Sequence, residues 1–364
     1  MKLIRFTTVA SQSPHFGVVV QDQAVPFQAL QCKAGESCPH LNDSRSYLAN
    51  LPQSQRKARR LFDWCERNLG ELDVCERFPA NEVRLLEPVE VAALFDFGLT
   101  PRHLKNSAEI LMKYEKENPQ TAPLLQAFAK AILSPKPKLG AGRAVPLSYY
   151  KCNMNSIVGD GETVPWPVYT SRLDIEPELA VVYGNEKQPV AGFCIFNDIS
   201  ARDVQATEFV GGFCLTKDMA KGNQLGPYLV TPDEVGDVYN LKVTVRVNGE
   251  VKYRGSTSEI SHKSEDMFAW LGSIAPLKPG SVLGFGTIPD CTGCDHDDFI
   301  DPGADIQIAF ERLGTLRCRF AELTGQATAE RLASAASVTK IPWVKCCQSS
   351  SASRVCASKK GGCP

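Results

Sequence analysis

The chain has 364 residues, which is too long for one small domain and suits a large domain with a smaller partner. Its 40 Lys and Arg residues against 41 Asp and Glu residues give a net charge of −1, which argues against a basic nucleic-acid-binding or membrane-binding surface. No apolar run approaches the ~20 residues that span a bilayer, and polar residues interrupt the opening MKLIRFTTVASQSPHFGVVV too early for a secretory signal. We therefore expect a cytoplasmic protein whose partners are neither nucleic acid nor membrane.

The first 90 residues predict a small N-terminal β/α accessory domain. LIRFTTV and FGVVVQDQAVPF are typical of strands. Residues 45–70 predict a basic amphipathic helical region that Pro52 interrupts.

Residues 91–325 predict a second, larger and β-rich domain. RHLKNSAEILMKYEKEN has helical periodicity and ends at Pro119. From about residue 145 short strands follow one another, and LKVTVRV and VKYRGS meet at NGE, a hairpin signal. Many short strands with few helices between them predict a mixed α+β fold with a rolled sheet. Residues 326–364, rich in Cys, Ser and Lys, predict a flexible tail.

The segment DIEPELAVVYG, residues 174–184, places acids at every second position of a predicted strand. Side chains alternate across a strand, so Asp174, Glu176 and Glu178 are expected on one face. One interpretation is a solvated edge strand, which Pro177 favours. The other is half of a site for a hard divalent cation, which prefers oxygen ligands.

A second group of polar residues follows the strand AGFCIFN. Asp198 ends this strand and is either a helix cap or a site residue. Arg202 and Gln205 lie three apart and share one helical face. An acid, a guanidinium and an amide at a strand end are typical of a site for an anionic substrate beside a cation. Upstream, Asp96 precedes His103 by seven residues.

Taken in order, these segments resemble the fumarylacetoacetate hydrolase family over about residues 93–322. The specific parts are the E-x-E strand, NDISARDVQ and LGPYLVT. The resemblance implies a rolled mixed β-sheet or β-barrel catalytic domain. It also implies a Mg²⁺ or Ca²⁺ cofactor whose ligands match Asp96, Glu176, Glu178 and Asp198. Asp174 matches no ligand and is expected to be a neighbour of the site.

The same resemblance implies catalytic and substrate-binding residues. The catalytic histidine matches His103, and its acidic partner, usually Glu, matches Asp297, with Asp295 or Asp298 as alternatives. The active-site lysine matches Lys217 in preference to Lys221. The substrate contacts match Arg202, Gln205, Tyr150 and Thr287.

The resemblance further implies a metal-dependent hydrolase that cleaves a C–C bond in a 1,3-diketone or 2,4-diketo acid. The same site chemistry also serves an oxaloacetate-type decarboxylase, an isomerase or a keto-acid dehydratase, and a non-catalytic binding protein is a further alternative. A family tyrosine falls at Gly98 here, which indicates a substrate other than fumarylacetoacetate. The implied partners are a small keto acid and a second copy of the chain in a homodimer.

Overall fold

A computed structural model describes residues 1–113, 130, 147–208 and 213–322 of the chain. The predicted tail at residues 326–364 and the predicted helix end at Pro119 lie outside the described residues.

The described elements are mostly short strands. The strands are β1 (Lys2–Thr7), β2 (His15–Val20), β3 (Gln23–Pro26), β4 (Phe78–Pro79), β5 (Arg84–Leu85), β6 (Ala93–Phe97), β7 (Tyr149–Lys151), β8 (Ile157–Val158), β9 (Glu162–Val164), β10 (Leu173–Asp174), β11 (Pro177–Asn185), β12 (Gln188–Asp198), β13 (Ser200–Ala201), β14 (Asn223–Val230), β15 (Lys242–Val247), β16 (Glu250–Ser256), β17 (Ser281–Thr287), β18 (Asp305–Phe310) and β19 (Gly314–Phe320). The α-helices are α1 (Phe27–Lys33), α2 (Ser44–Ala49), α3 (Gln53–Asn68), α4 (Pro101–Lys113), α5 (Arg202–Glu208), α6 (Cys214–Lys217), α7 (Pro232–Val235) and α8 (Ser264–Gly272). Short 3₁₀ helices span Pro39–Leu41, Leu69–Glu71, Met154–Ser156, Val238–Asn240, Thr257–Glu259 and Gly293–Asp295.

Most of the described strands belong to one large mixed sheet. Its order is β4-β3-β2-β1-β14-β12-β11-β17-β6-β7, with β5 beside β1 and β8 beside β14. In its interior strand β11, Leu179 and Val181 belong to one hydrophobic cluster while Ala180 and Val182 belong to another. Because side chains alternate across a strand, β11 is covered on both faces, which explains its almost continuous apolar sequence.

Two smaller sheets complete the described fold. One has the order β16-β15-β18-β19-β9, and the other pairs β10 with β13. The β15–β16 hairpin turns at Asn248 and Gly249, whose φ angles are 51° and 84°. Positive φ at both turn residues is what the Asn-Gly signal predicts.

The predicted fold class is confirmed: the chain is a mixed α+β protein rich in strands. Within the described residues the strands form open sheets and not the closed β-barrel that was predicted as an alternative to a rolled sheet. No helix among those described combines the length and apolar character that a bilayer crossing requires.

The large sheet runs through the predicted domain boundary near residue 90. β1 pairs with β14, with Leu3 opposite Leu229. Met1 and Leu3 also share a hydrophobic cluster with Phe196 and Leu225. The division into residues 1–90 and 91–325 stays a prediction.

Candidate active site

Three strand ends bring four acidic side chains together. β11 begins beside the end of antiparallel β12, with Pro177 opposite Asn197, so Glu176 and Glu178 lie near the strand end that carries Asp198. β17 lies between β11 and β6, with Gly284 opposite both Ala180 and Asp96. All four acids are buried: Asp96, Glu176, Glu178 and Asp198.

Gly284 makes room for two of these acids. A Cβ atom at this position would lie 2.5 Å from Oε2 of Glu178 and 2.9 Å from Oδ1 of Asp96. At such separations the two carboxylates would have to move to admit any side chain at this position. The glycine of GFGT therefore lets Asp96 and Glu178 approach each other across β17.

The Asp96 and Glu178 carboxyl groups resist ionisation in this arrangement. Burial, together with the charge of Asp96, raises the pKa of Glu178 well above its ordinary value. Burial and then the charge of Asp198 raise the pKa of Asp96 to about 7. Glu178 does receive two donors, the backbone N–H of Gly286 at 3.0 Å and the Thr287 hydroxyl at 3.5 Å. The charge of Lys217 lowers both pKa values, but it does not outweigh burial and the neighbouring acids.

Lys217 supplies the positive charge for the other half. Its Nζ donates to Oδ2 of Asp198 at 2.5 Å and also contacts Oε2 of Glu176. Burial raises the pKa of Glu176, but Arg202 and Lys217 outweigh it and hold that pKa well below its ordinary value. The Ser200 hydroxyl adds a hydrogen bond to Glu176 at 3.0 Å. Lys217 is therefore the counter-ion of Glu176 and Asp198, and its role as the active-site lysine stays a prediction.

The donor set fits a hard divalent cation. Oδ1 of Asp96 and Oδ1 of Asp198 are buried without a hydrogen-bond partner among the described residues, which is costly for carboxylate oxygens. The available ligands are all oxygen atoms, as Mg²⁺ or Ca²⁺ requires. In the described part of the chain the acids are not gathered into a ready cage of three or more ligands. Glu176 and Asp198 face Lys217 instead, so ligation requires these side chains to turn towards a common centre.

His103, near the start of α4, forms a dyad with an acid from a distant loop. Its Nδ1 lies 2.9 Å from Oδ1 of Asp295, and its Nε2 lies 3.5 Å from Oε1 of Glu176 and 3.2 Å from Oγ of Ser107. Burial lowers the pKa of His103, but Asp295 and Glu176 outweigh it and raise that pKa to about 9.

The partner of His103 is Asp295 and not Asp297, which corrects the residue matched from the sequence. Asp297 is exposed, with a φ of 56°, and Asp298 pairs with Lys252 at 2.8 Å. Asp295 lies in the 3₁₀ turn Gly293–Asp295, which packs against α4. The structure thus selects one of the two alternatives that the sequence left open.

Arg202 is an internal ion-pair partner. It is fully buried, and its guanidinium donates to Asp174 at 2.9 Å and contacts Glu176 at 2.7 Å. It also donates to Gln205 at 2.9 Å and to Thr292 at 3.1 Å. With its donors used inside the protein, Arg202 holds the acids in place, which departs from the direct substrate contact expected for it.

Asp174 does not lie on a common strand face with the two glutamates, contrary to the sequence expectation. β10 ends at Asp174 and pairs with β13, while β11 begins at Pro177. Its carboxylate accepts hydrogen bonds from the backbone N–H groups of Gly293 and Cys294, both at 2.8 Å. Asp174 therefore anchors the loop that carries Asp295.

The remaining predicted site residues lie around the same cluster. The Tyr150 hydroxyl donates to Asp198, and its ring centroid lies 5.6 Å from Nζ of Lys217. Thr287 and Gln205 are buried beside Glu178 and Arg202 as described above. Lys221 pairs with Glu162 at 2.5 Å, whereas Lys217 contacts Glu176 and Asp198.

Sequence reasoning missed Ser107, Ser200 and Gly284 as parts of this site. The spacing of four between His103 and Ser107 is a helical signal for a shared face and was available in the sequence. Gly284 has no such local signal, because Glu178 and Asp96 beside it come from other strands.

A family model, described as fumarylacetoacetate (FAA) hydrolase C-terminal, matches residues 129–321, more than half of the chain. The chain belongs to the fumarylacetoacetate hydrolase family. Asp96, His103 and Ser107 lie before the matched residues, so their assignment rests on the geometry given above.

Part of this chain is similar to a curated oxaloacetate tautomerase. The mitochondrial oxaloacetate tautomerase FAHD2A of Homo sapiens is 37% identical over 172 residues, covering 44% of this chain and 55% of that protein. The chain thus spans about half the length of the curated relatives it matches.

Solved structures show the same fold. A putative HpcE protein from Mycobacterium smegmatis superposes with a TM-score of 0.62 at 22% identity, over 89% of this chain and 100% of that one. Maleylpyruvate hydrolase from Sphingobium sp. SYK-6, in complex with manganese(II) and pyruvate, superposes with a TM-score of 0.58 at 17% identity and the same coverage.

Proposed function

We propose that this chain is a hydrolase that cleaves the C–C bond of a 1,3-diketone or 2,4-dioxo acid by general base catalysis at a divalent-cation site. The observation that carries the proposal is the buried His103–Asp295 dyad, whose Nε2 faces the acidic cluster at 3.5 Å from Glu176. A buried base oriented by a carboxylate beside a cation site is the arrangement that activates a nucleophile next to a bound carbonyl.

Four carboxylates are the proposed ligands: Asp96, Glu176, Glu178 and Asp198. Mg²⁺ or Ca²⁺ fits them, and a divalent cation would polarise the dioxo acid and stabilise the enolate that leaves. The Oδ1 atoms of Asp96 and Asp198 are buried without a hydrogen-bond partner among the described residues, which is the strongest support for a cation at these acids.

His103 is the proposed general base. Asp295 accepts from Nδ1–H and so leaves the lone pair on Nε2, where the proton of the nucleophile is taken up. Glu176 helps to raise the pKa of His103 to about 9 only while its own charge is unshared. A divalent cation held by Glu176 would offset the charge of that carboxylate and would therefore favour the neutral, basic form of His103.

The proposed reaction adds water across one bond. Oxygen joins the carbonyl carbon C4, the bond from C3 to C4 breaks, and C3 takes a proton, giving a carboxylic acid and a 2-oxo acid. Lys217 and Tyr150 contact the acids at the cluster and are proposed to hold the substrate oxygens, with Gln205 and Thr287 behind them. Arg202 is retained as a positioning residue.

Keto–enol tautomerisation of oxaloacetate is a second candidate. The observation that favours it is the similarity to an oxaloacetate tautomerase, which is 37% identical over 172 residues. The same base supports it, since moving a proton between C3 and the C2 oxygen needs His103 but no added water.

One absorbance experiment separates the two reactions. Purified chain is mixed with acetylpyruvate or oxaloacetate, with Mg²⁺, Mn²⁺ or EDTA, and the enol absorbance is followed while products are separated by chromatography. Metal-dependent formation of acetate and pyruvate supports hydrolysis. Faster enol–keto exchange of oxaloacetate with no product formed supports tautomerisation and contradicts hydrolysis.

Two variants test the site itself. Glu178→Gln keeps the side-chain volume and removes a proposed ligand, so we expect the rise in melting temperature caused by Mn²⁺ to be lost together with activity. Glu265→Gln, which changes an exposed acid at the start of α8, is the matched control and is expected to keep both the Mn²⁺ effect and the activity.

The homodimer and the cytoplasmic location remain predictions. Light scattering tests whether the chain forms a homodimer.

A further inference from the structure

Glu208, the last residue of α5, caps the following helix α6 from outside it. Its Oε1 accepts the backbone N–H of Leu215 and its Oε2 accepts that of Thr216, both at 2.8 Å, and the Thr216 hydroxyl donates to Oε2 at 2.7 Å. The first N–H groups of a helix have no acceptor within the helix, and Phe213 at the N-cap of α6 makes no capping bond with its side chain. Glu208 therefore supplies the acceptors that this helix lacks.

α6 depends on such contacts because it is a single turn of four residues, Cys214–Lys217. Forming one isolated turn costs more conformational entropy than its hydrogen bonds return, so the turn needs other parts of the chain to hold it. The Tyr169 hydroxyl also donates to the backbone carbonyl of Leu215 at 2.8 Å. Contacts from outside α6 thus hold both N–H and C=O groups of its backbone.

The turn ends at Lys217, which lies in the acidic cluster. Its Nζ contacts Glu176 and Asp198, and only 5% of its side chain is exposed. Arg202, the first residue of α5, contacts the same Glu176 at 2.7 Å. The two cations on Glu176 are therefore carried by α5 and α6, and Glu208 joins these two helices.

We propose that Glu208 is a positioning residue of the site, which holds α6 so that Lys217 lies against Glu176 and Asp198. The role of Lys217 in turnover rests on the proposed function, whereas the anchoring rests on the contacts of Glu208. A cap that only stabilised the chain could be removed without a change in the position of Lys217. The two roles therefore give different experimental results.

Acetylation by acetic anhydride reports the position of Lys217 in the purified chain without any substrate. An amine that is buried in ion pairs reacts slowly, and it reacts faster when its helix opens locally. We expect Glu208→Ala to speed the acetylation of Lys217 by about 10-fold or more, as measured by peptide mass spectrometry. Glu208→Gln, which keeps one acceptor oxygen, should have a smaller effect. Lys221, with 39% of its side chain exposed, is the internal reference and should react equally in all variants.

Asp43→Ala is the matched control for the loss of a cap. Asp43 accepts the backbone N–H of Ser46 at 2.7 Å and the Ser46 hydroxyl at 2.9 Å, so it caps α2 with the same kinds of hydrogen bond. This variant should leave the acetylation of Lys217 unchanged. Equal protection of Lys217 in Glu208→Ala and in the unaltered chain overturns the proposal. If Glu208→Ala does not unfold cooperatively in urea, the comparison with Glu208→Gln decides in the same way.

A double-mutant cycle with acetylpyruvate connects the anchoring to turnover. We expect Glu208→Ala to lower kcat by about 10-fold or more, and to cause no further loss in a chain that carries Lys217→Met, because both changes remove the same contact. Losses that add in the double variant overturn the inference that Glu208 acts through Lys217. A chain that consumes no dioxo acid, but in which Glu208→Ala speeds the acetylation of Lys217, contradicts the proposed function and supports the anchoring.

Discussion

Buried acids of the same residue type have different roles in this site because their neighbours differ. Glu176 faces Arg202 and Lys217, which hold its pKa low despite burial. Glu178, two residues later, faces Asp96, and burial and that charge together raise its pKa. Glu176 is thus an ion-pair partner in the protein as described, whereas Glu178 is a carboxyl group that needs a cation to carry its charge.

The dyad gives the first prediction. Asp295→Asn removes the charged acceptor on Nδ1 of His103, so the ring loses both its orientation and the stabilisation of its protonated form. We expect kcat to fall by about 10²–10⁴-fold with little change in KM. Asp297→Asn, on the exposed part of the same loop, is the control and should behave as the unaltered chain. A larger loss in Asp297→Asn than in Asp295→Asn would restore the residue first matched from the sequence.

Gly284 gives the second prediction. Gly284→Ala forces a methyl group against Glu178 and Asp96, so we expect the free energy of unfolding to fall by about 1–3 kcal/mol. The rise in melting temperature on adding Mn²⁺ should also shrink, since both proposed ligands must move. Gly272→Ala at the end of α8, where a Cβ meets nothing within 4 Å, should leave stability and the Mn²⁺ effect unchanged. Equal results for the two variants contradict the assigned role of Gly284.

At the scale of elements, the loop that carries Asp295 is positioned by a residue far away in sequence. Thr292 donates to Asp174 at 2.5 Å, and the backbone N–H groups of the next two residues also donate to that carboxylate. Asp174 is in turn held by Arg202 at 2.9 Å. The 3₁₀ turn therefore reaches α4 in a fixed orientation, and His103 meets Asp295 there.

This anchoring explains how far the sequence could predict the site. Glu178 in β11 and Asp198 at the end of β12 lie on neighbouring antiparallel strands, so local pattern and family resemblance together predicted that these acids belong to one site. The choice among Asp295, Asp297 and Asp298 depends on a turn fixed by Asp174, more than 115 positions earlier. No local pattern encodes such a contact, and the same holds for Gly284 beneath the acids.

Asp174 gives the third prediction. Asp174→Asn leaves the buried Arg202 without one carboxylate and places an amide N–H₂ among backbone donors. We expect a loss of about 3–5 kcal/mol in the free energy of unfolding, measured by urea denaturation. Asp73→Asn, whose side chain is 72% exposed in its pair with Lys33, should change it by less than about 0.5 kcal/mol. A small loss in Asp174→Asn would show that the loop is held by other contacts.

At the scale of the whole molecule, the N-terminal residues and the site share one sheet. β1 hydrogen-bonds to β14, which pairs with β12, the strand that ends at Asp198. Apolar residues of α1, α2 and α3 cover the face of the sheet to which Ala180 and Val182 belong. The accessory segment thus contributes to the core behind the site, which its sequence alone did not indicate.

The fourth prediction concerns a chain that begins at residue 91. Without β1 the edge of β14 is exposed, and without α1–α3 apolar side chains such as Phe196 and Leu225 are exposed. We expect this shortened chain to bind the dye ANS strongly and to unfold without a cooperative transition in urea. The control lacks residues 326–364, the predicted flexible tail, and should unfold as the full chain does. If the chain from residue 91 unfolds cooperatively and does not bind ANS, its core forms without the N-terminal strands of the shared sheet. That result would establish the predicted boundary as that of an independent domain.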